Sequence, residues 1–190
     1  MLAIVPVKGL DGAKSRLAPA LAPDERAQLV VSMLERVLAA CDASTAITRT
    51  LLVTPEPELA RNGVEVLRDS GTGHPEAIAA ALADPRAGAG ALVVMADCPR
   101  VTAASLDALA EAARPVALAP SQDGGVNALA LRDPAVFRPR FGVPAETTIA
   151  RARAAGLEPA IVNDPALAFD VDRPEDLNKI PPPHPEAPAA

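Results

Sequence analysis

The sequence predicts an α/β domain with a mostly parallel sheet and helices on both of its faces. Short apolar runs alternate along the chain with amphipathic stretches that carry helix-start signals. One run, residues 91–96, is apolar without a break, as a parallel strand covered on both faces must be. The length of 190 residues is enough for one sizeable core, and no polar Ser/Gly-rich stretch interrupts the interior. One domain is therefore expected over residues 1–180.

Residues 2–7, LAIVPV, read as the first strand. Pro23, Asp24 and Glu25 open a helix with acids in its first turn, where the helix dipole favours them, and Leu29, Val30, Met33, Leu34, Val37 and Leu38 recur at helical spacing as far as Ala40. Short strands follow at 51–54 and 64–67, then a glycine-containing loop and a helix over 75–82. The run 91–96 ends at Asp97. Thr102 reads as the N-cap of a helix over 103–113, followed by strands at 116–119 and 126–131. A helix over 145–155 stops at Gly156, whose missing Cβ suits a left-handed cap. Residues 157–162 and 167–171 read as strands, and Pro174 begins a short terminal helix. The last ten residues, PPPHPEAPAA, hold five prolines, and 181–190 is expected to be a disordered tail.

Composition narrows the partners. There is no Trp or Tyr and only three Phe, so the core must be aliphatic and base stacking on aromatic rings is nearly excluded. A net charge of -6 argues against nucleic-acid or anionic-membrane surfaces, which need clustered positive charge. No apolar run approaches the roughly 18 residues of a membrane span, and Met1 leads directly into strand-like sequence, so a cytoplasmic protein is expected. Cys41 and Cys98 show neither CxxC spacing nor nearby His pairs, which argues against a disulfide or zinc framework. Oligomeric state is not legible.

Two of the three lysines of this acidic chain fall in one loop after the first strand, where Lys8, Lys14, Ser15 and Arg16 occur together. Loop amides can converge on an anion, Lys supplies point charge and Arg a planar fork for phosphate oxygens. The alternative is a solvated basic loop. The P-loop pattern is not met, since Ala13 precedes Lys14 and only two residues separate Gly9 from Gly12.

Asp97 lies where a buried strand meets its loop, the edge at which open α/β sheets collect ligands. In FDVDRPEDL, Asp170 and Asp172 are two apart in a strand-like context, so both face one way with Val171 opposite. Adjacent carboxylates repel unless a cation lies between them, and hard oxygen donors suit Mg²⁺. Asp172 alone reads equally well as the N-cap of the Pro174 helix. His74 and His184 read as loop and tail residues.

The segments PVK(x)5AKSRL, ADCP, GGVNALALR, RPRFG and FDVDRPEDL, in this order over residues 2–177, resemble the 2-phospho-L-lactate guanylyltransferase family of coenzyme F420 biosynthesis. The resemblance implies a single Rossmann-like nucleotidyltransferase domain of the glycosyltransferase-A type. It also implies transfer of GMP from GTP to 2-phospholactate, phosphoenolpyruvate or 3-phosphoglycerate, with pyrophosphate released. Carried over by position, Asp97, Asp170 and Asp172 match the metal-binding carboxylates. Pro6, Val7, Lys8, Lys14, Ser15 and Arg16 match the nucleotide-binding opening, with Lys14 and Asp97 in catalytic roles. Val126, Gly142 and Ala145 match the acid-binding positions, but Val126 stands where the family has Thr and Ala145 where it has Ser. Two hydroxyls are thus missing, with Thr147 or Thr148 as replacements and the amides near Gly142 as further donors. Gly71, Gly73 and Glu76 are candidates for contact with the base. Other nucleotidyltransferases or sugar transferases of this fold, and a non-catalytic nucleotide-binding module, remain the competing readings.

Overall fold

The computed structural model of the chain describes residues 1–69 and 73–182. The strands are β1 (Leu2–Pro6), β2 (Arg49–Thr54), β3 (Glu65–Arg68), β4 (Ala91–Val94), β5 (Val116–Pro120), β6 (Val126–Leu131) and β7 (Ala160–Ile161). The α-helices are α1 (Pro23–Ala43), α2 (His74–Ala83), α3 (Ala103–Ala112), α4 (Ala145–Ala154) and the single turn α5 (Pro165–Ala168). The seven strands form one sheet in the order β3-β2-β1-β4-β6-β5-β7. Strand β6 runs antiparallel to both β4 and β5, and every other pair is parallel. The expected mostly parallel sheet is thus present, with one reversed strand beside β4.

Strand alternation divides the core into two layers. Ala3, Val5, Leu92 and Val94 face a cluster with Met33, Leu34, Val37 and Leu38 of α1 and Leu106 and Leu109 of α3. Leu2, Ile4, Ala91 and Val93 face the other cluster, with Ile78 and Ala81 of α2 and Ala152 of α4. Each fully buried Leu, Ile or Met contributes about 1.5–3 kcal/mol. Phe137, Phe141 and Phe169 are all buried, so the few aromatic rings serve packing. Both cysteines are buried free thiols. No helix among the described residues is long and apolar enough to cross a membrane.

Several ends follow their caps. Glu25 accepts a hydrogen bond from the Ala22 N–H at 2.7 Å at the start of α1. Thr102 accepts from the Ser105 N–H, and Gly156 closes α4 at φ 77°. Two expectations are corrected. The expected strand at 157–162 shrinks to Ala160–Ile161. The expected strand at 167–171 is α5 plus an extended segment, because Asp164 caps a Pro-initiated turn by accepting from the Ala166 N–H at 2.7 Å. The expected short terminal helix is present as a 3₁₀ helix, Pro174–Lys179. Of the expected tail, Pro181 accepts from the Arg36 guanidinium at 2.8 Å, while residues 183–190 lie outside the described residues.

Asp107 on α3 pins the turn between α1 and β2. It accepts from the Ser44 hydroxyl at 2.5 Å, the Ala46 N–H at 3.0 Å and the Thr45 hydroxyl at 3.0 Å. The Ser44 bond, with the Thr45 and Ala46 bonds, outweighs burial and holds the Asp107 carboxyl below its ordinary range. Asp107→Ala is expected to cost about 2 kcal/mol in a denaturation measurement. The stability that Asp107 supplies is present above the ordinary carboxylate pKa of about 3.9 and disappears as pH falls through its own lower value. A variant as stable as the parent at pH 7 would contradict this role.

Candidate active site

The C-terminal ends of the parallel strands open into a cleft of about 480 Å³. Its lining includes Pro6, Val7, Lys8, Gly9, Lys14, Ser15 and Arg16 after β1, and Met95, Ala96 and Asp97 after β4. Val30 and Met33 of α1, His74 of α2 and Asp172 complete its walls. All six residues matched to nucleotide binding therefore line one cavity with Asp97.

The opening loop is tethered at both ends of its course. Glu56 accepts from the Leu10 N–H at 2.8 Å, and a Cβ on Gly9 would stand 2.9 Å from that carboxylate. A side chain at position 9 would therefore push the Glu56 carboxylate, the far end of a flexible side chain, off the Leu10 N–H. Further on, Arg26 of α1 donates to the Ala13 carbonyl at 3.1 Å. Lys14 follows with φ 49°, a left-handed backbone that a long side chain adopts only under constraint.

Tertiary folding gathers the acids. Asp97, Asp170 and Asp172 each offer an oxygen, and the three lie within 4.8 Å of one another. Asp97 follows β4, whose last neighbour, Met95, still donates to the Asn127 carbonyl of β6 at 2.9 Å. The 170–172 segment docks against Asp97 itself, with the Val171 N–H donating to the Asp97 carbonyl at 3.2 Å. Val171 is fully buried, so the acids on either side of it turn to the side of Asp97 as the alternation predicts; Asp172 lines the cleft, whereas Asp170 does not. Asp172 is not the cap of the terminal turn. Asp176 performs that task, accepting from the Arg173 N–H at 2.9 Å and the Asp172 N–H at 3.2 Å.

The Lys14 ammonium lies 2.5 Å from Asp97 Oδ2 and 2.8 Å from Asp172 Oδ1, and Arg16 lies 2.8 Å from Asp172 Oδ2. Burial by itself would lower the Lys14 pKa, but Asp97 and Asp172 together raise it. Burial likewise works against the Asp172 carboxylate, and Lys14 and Arg16 overcome it and hold its pKa down. Among the described residues no cation pairs with Asp170 in this way. Burial, with Asp97, Asp123 and Asp172 nearby, pushes its carboxyl up to about 6 against the one hydrogen bond from Asn127. Three oxygen donors this close, one of them poorly compensated, suit a hard divalent cation.

Asn127 and His74 were not legible as site residues. Asn127 is buried in β6 and donates to the Leu167 carbonyl at 3.0 Å, the Ala168 carbonyl at 3.3 Å and Asp170 Oδ1 at 3.2 Å. A lone amide inside the apolar run VNALAL was the available signal. Asn127→Leu is expected to destabilise by about 1–3 kcal/mol and, by releasing Asp170, to lower activity about 10–100-fold. Thermal melting and turnover check the two parts separately. His74 is the first residue of α2 and lines the cleft, which corrects its reading as an exposed loop residue. Burial and the Lys8 charge lower its pKa against the opposing pull of Asp97 and Asp69.

The acid-binding candidates stand apart. Val126, Gly142 and Ala145 are absent from the cleft lining. Val126 starts β6 beside Asn127, and Gly142, at φ 75°, lies near Pro75 of α2. Ala145 is buried and already donates its N–H to the Gly124 carbonyl at 2.8 Å. Thr148 is buried with its hydroxyl 3.4 Å from the Arg140 carbonyl, which leaves Thr147 as the exposed hydroxyl of that pair. Gly71 lies outside the described residues, and neither Gly73 nor Glu76 lines the cleft.

Comparison with known proteins agrees with this geometry. The family described as "Guanylyl transferase CofC like" matches residues 1–181. The phosphoenolpyruvate guanylyltransferase of Sphaerobacter thermophilus is 42% identical, with 94% of this chain and 91% of that protein covered. The 3-phospho-D-glycerate guanylyltransferase of Phenylobacterium zucineum is 38% identical, with 94% and 88% covered. A Desulfovibrio desulfuricans structure, provisionally assigned as a nucleotide-diphospho-sugar transferase, superposes with a TM-score of 0.74 at 21% identity, covering 93% of this chain and 84% of that one. At that identity it speaks for the fold alone. By its match along nearly the whole length, this chain belongs to the guanylyl transferase CofC-like family.

Proposed function

We propose that this enzyme transfers GMP from GTP to the phosphate of a three-carbon acid, with phosphoenolpyruvate the first choice, in the cytoplasm as a step of coenzyme F420 biosynthesis. The observation that carries the reading is the meeting of Lys14 and Arg16 with Asp97 and Asp172 at the cleft wall. This proximity of basic loop and carboxylates supports reading the loop as the phosphate binder and the acids as the Mg²⁺ ligands. The name of the Sphaerobacter relative favours phosphoenolpyruvate, while 3-phosphoglycerate and 2-phospholactate are the other acids of the same reaction.

In this reading a phosphate oxygen of the acid attacks the α-phosphorus of GTP, and the bond from that phosphorus to the bridging oxygen of the β-phosphate breaks. Pyrophosphate leaves with the electron pair. The attacking phosphate is already ionised at pH 7, so no protein base is required. Both reactants are anions, and their mutual repulsion is the main obstacle. Lys8, Lys14, Ser15 and Arg16 hold the triphosphate, and Asp97, Asp170 and Asp172 would hold the magnesium. The metal supplies charge neutralisation at the α-phosphate and the leaving group.

The deciding assay combines protein, Mg²⁺ and each of ATP, CTP, GTP and UTP with each of the three acids, and measures pyrophosphate release. Turnover with GTP and phosphoenolpyruvate is expected, and it should stop when Mg²⁺ is chelated. Preference for CTP, or nucleotide binding without product from any acid, would replace this reading.

A further inference from the structure

Lys14 occupies the place that a cation of the carboxylate cluster would take. Its ammonium is 2.5 Å from Asp97 Oδ2 and 2.8 Å from Asp172 Oδ1. Arg16 takes the second oxygen of Asp172 at 2.8 Å. The three acids whose oxygens lie within 4.8 Å of one another thus already hold two positive charges supplied by the chain.

A divalent ion cannot share these oxygens with Lys14. Mg²⁺ binds oxygen at about 2.1 Å, which would bring it within a few ångströms of the ammonium nitrogen, where like charges repel strongly. The obstruction is built into the backbone. Lys14 is the only non-glycine with positive φ among the described residues, and it reaches acids 83 and 158 positions further along the chain. Its loop also lines the cleft, so the same side chains lie within reach of an anion bound there.

We infer that Lys14, assisted by Arg16, is an internal counter-cation that excludes divalent metal from the Asp97, Asp170 and Asp172 cluster until a polyphosphate in the cleft draws both side chains onto its own oxygens. This rests on the three acids being the metal site. Charge is conserved in the exchange, because two positive charges leave the carboxylates as one divalent ion arrives. Metal and nucleotide then enter together, and Lys14 and Arg16 until then spare the acids uncompensated repulsion.

The test uses the full chain without nucleotide and Mn²⁺ alone as the probe, with free Mn²⁺ followed by electron paramagnetic resonance. Lys14→Met is expected to bind Mn²⁺ at least tenfold more tightly than the parent, and adding Asp170→Asn to Lys14→Met should reverse the gain. Mn²⁺ should also raise the melting temperature of Lys14→Met more than that of the parent, which reads the folded protein directly. Arg16→Ala should have a smaller effect, since this side chain is 72% exposed. Lys14→Gln, carried in parallel, keeps the test decisive if one substitution folds poorly. Equal or weaker Mn²⁺ binding by both Lys14 variants would overturn the inference, and the metal-site reading would survive if Asp170→Asn still abolished turnover in the parent. A gain that persisted with Asp170→Asn would place the ion elsewhere and overturn both.

Discussion

Asp97→Asn is expected to lower turnover about a thousandfold with the fold intact. Asn keeps the shape and can still accept from Lys14, and the Asp97 carbonyl that receives the Val171 N–H is untouched. In the proposed reaction, what disappears is one of three negative charges that would gather a divalent ion and, through it, offset the charge that develops on the α-phosphate and the leaving pyrophosphate. A loss of about 4 kcal/mol in transition-state stabilisation corresponds to roughly that factor. The measurement is pyrophosphate release at saturating GTP and acid, with a melting curve alongside. Turnover within fivefold of the parent would remove Asp97 from the chemistry.

Lys14→Met is expected to lower turnover about a hundredfold and to raise the KM for GTP by less than that factor. A lysine that meets triphosphate oxygens interacts most strongly once charge has built on the departing pyrophosphate, so its removal falls mainly on kcat. The same substitution removes the cation between Asp97 and Asp172, whose side chains are 29% and 32% exposed, and leaves their repulsion uncompensated. A loss of about 2 kcal/mol in metal-free buffer follows, smaller than for a fully buried pair because water reaches both acids. Slow turnover and tighter metal binding in one variant would separate this role from simple misfolding. An increase in KM with unchanged kcat would instead make Lys14 a ground-state binding residue.

The two cations of the cluster and the three acids were legible in the sequence because each carries a local sign. Lys14 stands in a basic loop directly after an apolar strand, Asp97 ends the uninterrupted run 91–96, and Asp170 and Asp172 flank an apolar Val. Asn127 and His74 lack such signs. A single buried amide and a helix-start histidine look the same in a window of sequence whether they face a site or not. Their roles depend on β6 lying beside β4 and on α2 starting at the mouth of the cleft.

The sequence by itself determined the alternation of helices and strands, the cover on both faces of β4, the caps at Thr102 and Gly156, and which charges were candidates for phosphate and metal. Periodicity and capping depend on neighbours a few positions apart, so they can be read locally. Only the tertiary structure decided that β6 runs against its neighbours, that Asp164 turns the expected strand at 167–171 into α5, and that Asp176 relieves Asp172 of capping. It also set Lys14 onto acids 83 and 158 residues away and left Asp170 with Asn127 as its hydrogen-bond donor. These are matters of which distant groups share a small, partly buried volume, where charge and burial act through space and take no account of separation along the chain.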